Sequence, residues 1–144
     1  MLFSAAKTFG LVFSVALSVS TLVQAECPVD SVIVKGGVNH ALGNAEVRVQ
    51  LVYAKGVVGE SGEAMVKDGA FSIPIEFLTQ SRRPIVNGLP QKCNRRPKKV
   101  IVTLLQRDAD HEYDRVTLDF VKDFKMVDAS AYAPGSDLVL NGSH

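Results

Sequence analysis

Residues 45–53, Ala-Glu-Val-Arg-Val-Gln-Leu-Val-Tyr, carry the clearest pattern in the chain and decide its fold class. Polar residues alternate there with an apolar set at every second position: Ala45, Val47, Val49, Leu51 and Tyr53. This two-residue period is typical of a strand with one buried face, because a helix would distribute the same apolar groups around its axis. We therefore predict the central strand of an antiparallel sandwich, whose other strands cover this apolar face.

Other short segments show related patterns and are separated by turn residues. Strands are predicted at 31–38, 70–77, 98–106, 113–121 and 137–141; residues 55–62 are expected to form a loop or an irregular edge, and 122–133 a short helix or a loop. About seven short strands and no long helical pattern predict an all-β protein. The expected fold is a single antiparallel β-sandwich of the immunoglobulin-like kind.

The pair Asp68-Gly69 separates two of these segments and predicts a β-hairpin between 63–67 and 70–77, because both residues tolerate the positive φ angles of a tight turn. The second arm is predicted to direct one apolar row to the core: Phe71, Ile73, Ile75 and Phe77. Pro74 lacks a backbone N–H for a ladder hydrogen bond, so this strand is expected at a sheet edge.

Residues 1–25 have the composition of a secretory signal peptide. Lys7 precedes an apolar run at 9–19, and Val23-Gln24-Ala25 resembles a cleavage site. Residues 26–144 are then expected to form one secreted, extracellular domain, and no second apolar run is long enough to insert into a membrane. Removal of Lys7 changes the formal charge from +1 to zero, so net charge predicts no class of partner.

The two cysteines, Cys27 and Cys93, are expected to form one disulfide in an oxidising compartment. Closing a loop of about 66 residues stabilises a folded chain by roughly 4 kcal/mol in the loop-entropy estimate. Such a bond would join the start of the domain to a long loop at 78–97.

This loop is the most specific surface feature that the sequence predicts, because loops of its length in compact domains are often functional. The stretch 81–99, which begins in this loop and ends in the next predicted strand, contains no acidic residue and the following basic ones: Arg82, Arg83, Lys92, Arg95, Arg96, Lys98 and Lys99. A polyanion site, a protein-binding loop and a solvated loop that keeps the protein soluble all fit this composition. Nucleic acid is disfavoured as a partner, because no aromatic residue lies between Phe77 and Tyr113 for base stacking.

Three motifs resemble those of transthyretin-like and carboxypeptidase-regulatory-like domains. They are 34–38 (Val-Lys-Gly-Gly-Val), 43–49 (Gly-Asn-Ala-Glu-Val-Arg-Val) and 68–73 (Asp-Gly-Ala-Phe-Ser-Ile). The resemblance implies a prealbumin-type sandwich and no particular activity. In overall format, a signal peptide before a small disulfide-closed β domain also resembles the secreted effectors of plant-infecting fungi.

No catalytic motif, cofactor motif or standard metal-ligand spacing occurs in the chain, so a non-enzymatic protein is expected. One polar cluster offers oxygen and imidazole ligands: Asp108, Asp110, His111, Glu112 and Asp114. Because it lacks the glycine and the distal glutamate of an EF-hand, a solvated turn is the preferred interpretation. Asn141-Gly142-Ser143 fits the acceptor sequence for N-glycosylation.

The sequence therefore predicts a secreted binding protein, and the resemblance in format implies a fungal virulence effector that engages an extracellular host protein. Inhibition of a papain-like cysteine protease is the most concrete version. The binding loop would comprise Arg82, Arg83, Ile85, Val86, Asn87, Gly88, Leu89, Arg95 and Arg96. A carbohydrate- or cell-wall-binding module is the alternative, although the chain contains no tryptophan and only three tyrosines as stacking platforms. A purely structural surface protein is a third.

Overall fold

A computed structural model describes residues 27–40, 43–80, 92–108 and 111–143. The predicted signal peptide, residues 1–25, lies outside these ranges. The strands in chain order are β1 Val29–Asn39, β2 Ala45–Val52, β3 Val58–Met65, β4 Ala70–Leu78, β5 Lys99–Gln106, β6 His111–Asp119, β7 Phe124–Asp128, β8 Ala131–Pro134 and β9 Leu138–Asn141. A 3-10 turn, Ala54–Gly56, follows β2, and a short helix α1, Phe120–Asp123, follows β6.

Two sheets pack against each other, which confirms the predicted all-β sandwich. One sheet is antiparallel throughout, in the order β3-β2-β5-β6, and β2 lies in its interior as predicted. The other has the order β4-β1-β8-β7, and β9 also pairs with β1. β1 is antiparallel to β4 but parallel to β8 and β9, so the sandwich is not purely antiparallel.

The described residues form nine strands, and the two beyond the predicted seven, β7 and β8, both come from 122–133, whereas part of 55–62 extends the predicted arm 63–67 into β3. Residues 122–133 were expected to be a short helix or a loop, yet they contribute the end of α1, all of β7 and most of β8. Gly59 and Gly62 lie inside β3, the edge strand of its sheet. An edge strand with one pairing partner accommodates glycines and a register shift more readily than an interior strand.

The apolar rows of the facing strands form one core. In β2 the predicted set is buried, and in β4 the alternation of buried and exposed residues is unbroken. β1 and β5 add four valines that are wholly inaccessible to solvent: Val32, Val34, Val100 and Val102. Since burying one such side chain contributes about 1.5–3 kcal/mol, these rows supply the main driving force for sheet packing.

The hairpin predicted around Asp68-Gly69 is only partly correct. Asp68 and Gly69 have φ angles of 53° and 71°, and Lys67 pairs with Ala70 as a tight turn requires. Beyond this bridge, however, β3 pairs with β2 and β4 pairs with β1, so the turn carries the chain from one sheet to the other. The two arms separate because each pairs with an interior strand of a different sheet, β3 with β2 and β4 with β1.

Pro74 lies in β4, at the edge of its sheet as predicted. Glu46 differs from expectation, since it is only 3% exposed although it belongs to the outward-facing row of β2. Its carboxylate accepts a hydrogen bond of 2.7 Å from Nε of Arg48 and lies 3.8 Å from Nε of Arg107. Among the helices of the described ranges, none combines the length and apolar character needed to cross a membrane.

Candidate functional site

The two sheets are tied together at one end of the sandwich, where β1, β3 and β5 begin and β2 and β4 end. We call this the disulfide end, because the predicted bond between Cys27 and Cys93 is present there, with Cα atoms 5.3 Å apart. Two hydrogen bonds reinforce it. The Thr79 hydroxyl donates to the carbonyl of Pro28 at 2.8 Å, and the backbone N–H of Arg95 donates to the carbonyl of Thr79 at 2.9 Å.

A three-residue polar cluster lies beneath this connection. The Arg95 guanidinium lies 3.6 Å from the centre of the Tyr53 ring and 3.1 Å from Oε2 of Glu60. The Tyr53 hydroxyl donates to Oε1 of the same carboxylate at 2.6 Å. Arg95 also donates to the carbonyl of Leu78 at 3.0 Å, so one side chain links the residue that follows β2 to β3 and β4.

The environment of Glu60 favours its ionised form. Burial raises the pKa of this carboxyl, but hydrogen bonds from Tyr53 and Arg95 lower it, and the resulting pKa lies below its ordinary value. The side chain of Arg95 is only 11% exposed and that of Glu60 28% exposed. Removing one partner of an ion pair shielded to this degree is more destabilising than on the open surface, because the remaining charge is left without its counter-ion.

Gly59 makes room for this cluster. A β-carbon at position 59 would overlap Cε1 and Cδ1 of the Tyr53 ring. A glycine is therefore required for steric reasons where β3 passes the end of β2. The sequence placed Tyr53 in the apolar row of the strand, but nothing in the local pattern indicated its partners on other segments.

A pocket of about 340 Å³ opens beside the cluster, and we call it the Lys98 pocket. Its surface combines apolar, aromatic and nitrogen-bearing side chains: Tyr53, Ala54, Val57, Asn94, Arg95, Arg96 and Lys98. Arg96 pairs at 3.4 Å with Asp30, whose side chain is only 8% exposed. Within the described ranges, no carboxylate forms an ion pair with Lys98, so the pocket has a cationic rim.

The predicted binding loop is divided between described and undescribed residues. Arg82, Arg83, Ile85, Val86, Asn87, Gly88 and Leu89 lie outside the described residues. Arg95 and Arg96 are placed together at the disulfide end, but they differ in exposure. The guanidinium of Arg95 faces inward, whereas the side chain of Arg96 is 37% exposed and can reach a partner.

A second concave surface lies on the outer face of the β3-β2-β5-β6 sheet and has a volume of about 690 Å³. Its charged side chains are paired with one another. Arg115 contacts Glu112 at 2.6 Å, and Arg48 lies 3.6 Å from Glu63. Gln50, Ser61 and Thr103 add uncharged polar groups, and among the residues that the structure describes no aromatic ring lines this groove.

The polar cluster near residue 111 is divided among separate contacts. Asp108 accepts a hydrogen bond from Asn44, Asp114 accepts one from the backbone of Asn141, and His111 packs edge-on against Tyr113. Asp110 lies outside the described residues. In the part of the chain that is described, no three acidic, histidine or cysteine side chains are grouped as metal ligands would be.

The glycosylation sequence lies at the end of the sandwich opposite the disulfide end. The side-chain oxygen of Asn141 accepts hydrogen bonds from the backbone N–H of Ser143 at 3.0 Å and from its hydroxyl at 2.7 Å. A glycan attached to Asn141 would therefore leave the Lys98 pocket accessible.

Comparison with known proteins adds no relationship to this description. No model of a protein family, no curated protein and no solved structure matches the chain.

Proposed function

We propose that this chain is a secreted, non-enzymatic binding protein that recognises an extracellular host protein through its disulfide end. The observation that carries the proposal is the double anchoring of the segment at 78–97. Its N-terminal end continues from β4 and is held by the hydrogen bond from Thr79 to Pro28. Its C-terminal end is held by the disulfide of Cys93 and by the hydrogen bond from Arg95 to Leu78. A binding loop fixed at both ends to a rigid sandwich loses little conformational entropy when it binds.

The leading version is a fungal effector that inhibits a papain-like cysteine protease of the host. In this version, residues 82–89 enter the active-site cleft, and Arg96 contributes at its rim. The disulfide and the Arg95 cluster support the version because they would hold both ends of the inserted segment while the protease is bound.

The test is a titration of the disulfide-closed protein into papain, with residual cleavage of a fluorogenic peptide as the readout. Stoichiometric loss of activity is the expected result. Replacing residues 82–89 by a Gly/Ser linker should abolish inhibition, whereas Lys67→Glu at the opposite end should leave it unchanged. Near-UV circular dichroism would check that both variants keep the wild-type fold.

Unchanged protease activity at a large molar excess would refute the protease version. Affinity capture from host extracellular fluid then tests the broader proposal. Recovery of a protein by the wild type but not by the linker variant would support binding through the disulfide end. Failure to retain any protein specifically would contradict the proposed function itself.

A carbohydrate-binding function is the second candidate, and the groove on the β3-β2-β5-β6 sheet favours it. Gln50, Ser61 and Thr103 offer hydrogen-bonding groups for sugar hydroxyls along one concave sheet face. The test is retention on insoluble cell-wall polysaccharide. If this function is correct, the double variant Gln50→Ala, Thr103→Ala should lose retention, and the linker variant of residues 82–89 should keep it.

A further inference from the structure

The charge balance around the Lys98 pocket is uneven. Arg95 is neutralised from inside the fold by Glu60, and Arg96 is paired with the nearly buried Asp30. In contrast, the exposed ammonium group of Lys98 has no ion-pair partner in the described part of the chain. Lys55 in the adjoining 3-10 turn is likewise exposed. The mouth of the pocket therefore carries positive charge that an incoming group can neutralise.

The backbone that carries this charge is held in place. The N–H of Lys98 donates to the carbonyl of Val52 at 2.7 Å, and its carbonyl accepts from the N–H of Phe120 at 3.0 Å. The preceding residue, Pro97, is buried. Only the side chain of Lys98 has to become ordered on binding, so the loss of entropy is small.

The pocket also has an apolar wall. Val57 is 45% exposed, and Ala54 lies next to it at the surface. An apolar wall beside a cation and an amide complements a short anionic group carried on an aliphatic stem. A carboxylate accepts hydrogen bonds from both an ammonium and a guanidinium, and such charge-assisted bonds are stronger than neutral ones.

The arrangement favours one acidic side chain over a long polyanion. A polyanion would be bound by a stripe of unopposed cations, but Lys99 lies opposite the acidic residue Asp119 in the register of β5 and β6, and Arg115 contacts Glu112. Nucleic acid would also need an aromatic face for stacking. The Tyr53 ring does not provide one, because it is only 7% exposed and lies against Arg95.

We infer that the Lys98 pocket receives the carboxylate of an acidic side chain on the protein partner, between Lys98 and the exposed part of Arg96. This inference builds on the proposed protein-binding function and specifies its chemistry. The partner surface that meets the disulfide end is therefore acidic, with an apolar residue beside the acid.

The probe for the test is a peptide of sequence Gly-Ser-Glu-Leu-Glu-Leu-Ser-Gly, with a control peptide in which glutamine replaces glutamate. Each peptide is titrated into the isotope-labelled protein, and amide chemical shifts are followed by NMR. The acidic peptide is expected to shift the resonances of Val57, Asn94 and Lys98 in a saturable manner, and the glutamine peptide is not.

Matched variants separate local charge from net charge. Lys98→Glu should weaken binding of the acidic peptide at least about tenfold, because an attractive contact becomes repulsive. Lys67→Glu makes the same change in net charge at the opposite end and should have little effect. Lys98→Arg should retain binding. Dispersed spectra would show that each variant is folded.

Equal binding of the acidic and glutamine peptides, or equal binding by the two charge-reversal variants, would overturn the inference. Tighter binding of a heparin hexasaccharide or of single-stranded DNA at the same resonances would overturn it in favour of a polyanion site. If the peptide fails while the wild type still captures a host protein, the inference is wrong and the proposed function stands.

Discussion

The cluster of Arg95, Glu60 and Tyr53 leads to a quantitative prediction about stability. Glu60→Gln keeps the size of the side chain and one acceptor oxygen for the Tyr53 hydroxyl. The change removes the charge, however, and places amide hydrogens opposite the guanidinium of Arg95. The perturbation therefore tests the ion pair without creating a cavity.

The expected loss follows from the geometry. Arg95 donates to the Glu60 carboxylate at 3.1 Å and, more weakly, at 3.4 Å, and a hydrogen bond to a charged group contributes about 1.5–3 kcal/mol. Because the Glu60 side chain is 28% exposed, water offsets part of this loss. We expect Glu60→Gln to lower the free energy of unfolding by about 2 kcal/mol.

The assay is urea-induced unfolding at pH 7 with the disulfide intact, followed by far-UV circular dichroism. Glu63→Gln is the matched control on the same strand. Its side chain is 61% exposed and lies 3.6 Å from Arg48, so a loss below about 0.5 kcal/mol is expected. Similar losses for the two variants would refute the assignment of Glu60 and Arg95 as a structural ion pair.

Three further predictions concern the same end of the molecule. The pKa of Glu60 is lower in the folded than in the unfolded state. The ionised carboxylate therefore contributes fully to the free energy of unfolding above the ordinary pKa of about 4.3, and this contribution is lost as the pH falls through the pKa of the folded state. The stability difference between wild type and Glu60→Gln should accordingly shrink in urea titrations below that pH, and a constant difference down to pH 2 would contradict it. Gly59→Ala should lower the free energy of unfolding by about 1–3 kcal/mol in thermal unfolding, because the added methyl group meets the Tyr53 ring. The methyl group added by Gly43→Ala lies in open space, so this variant should lose less stability. Equal losses for the two variants would contradict the steric argument. Replacing both Cys27 and Cys93 by alanine should lower the free energy of urea unfolding by roughly 4 kcal/mol, and a loss below about 1 kcal/mol would show that loop closure contributes little here.

Much of the fold could be predicted from local patterns. The period in β2, the inward row of β4 and the apolar character of β5 each follow from which side of a strand faces water. The edge position of Pro74 follows from its missing N–H. With two cysteines in the chain, the disulfide required no knowledge of the fold. These features depend on the residue itself or on its near neighbours in sequence.

The tertiary structure alone decided how the strands combine. The sequence around Asp68-Gly69 is that of a hairpin, but its arms belong to different sheets because β3 pairs with β2 and β4 pairs with β1. The parallel pairing of β1 with β8 and β9 joins segments that are distant in the chain. Local periodicity carries no information about such partners.

The same limit applies to the candidate site. The sequence marked Arg95 and Arg96 as basic residues of one loop, and the structure distinguishes them through Glu60 and Asp30 on other segments. Glu46 was expected to face solvent and is buried beneath Arg48 and Arg107. Alternation along a strand determined which face each side chain occupies. Whether a charge on that face meets water, a counter-ion or a partner was decided by contacts between segments far apart in sequence.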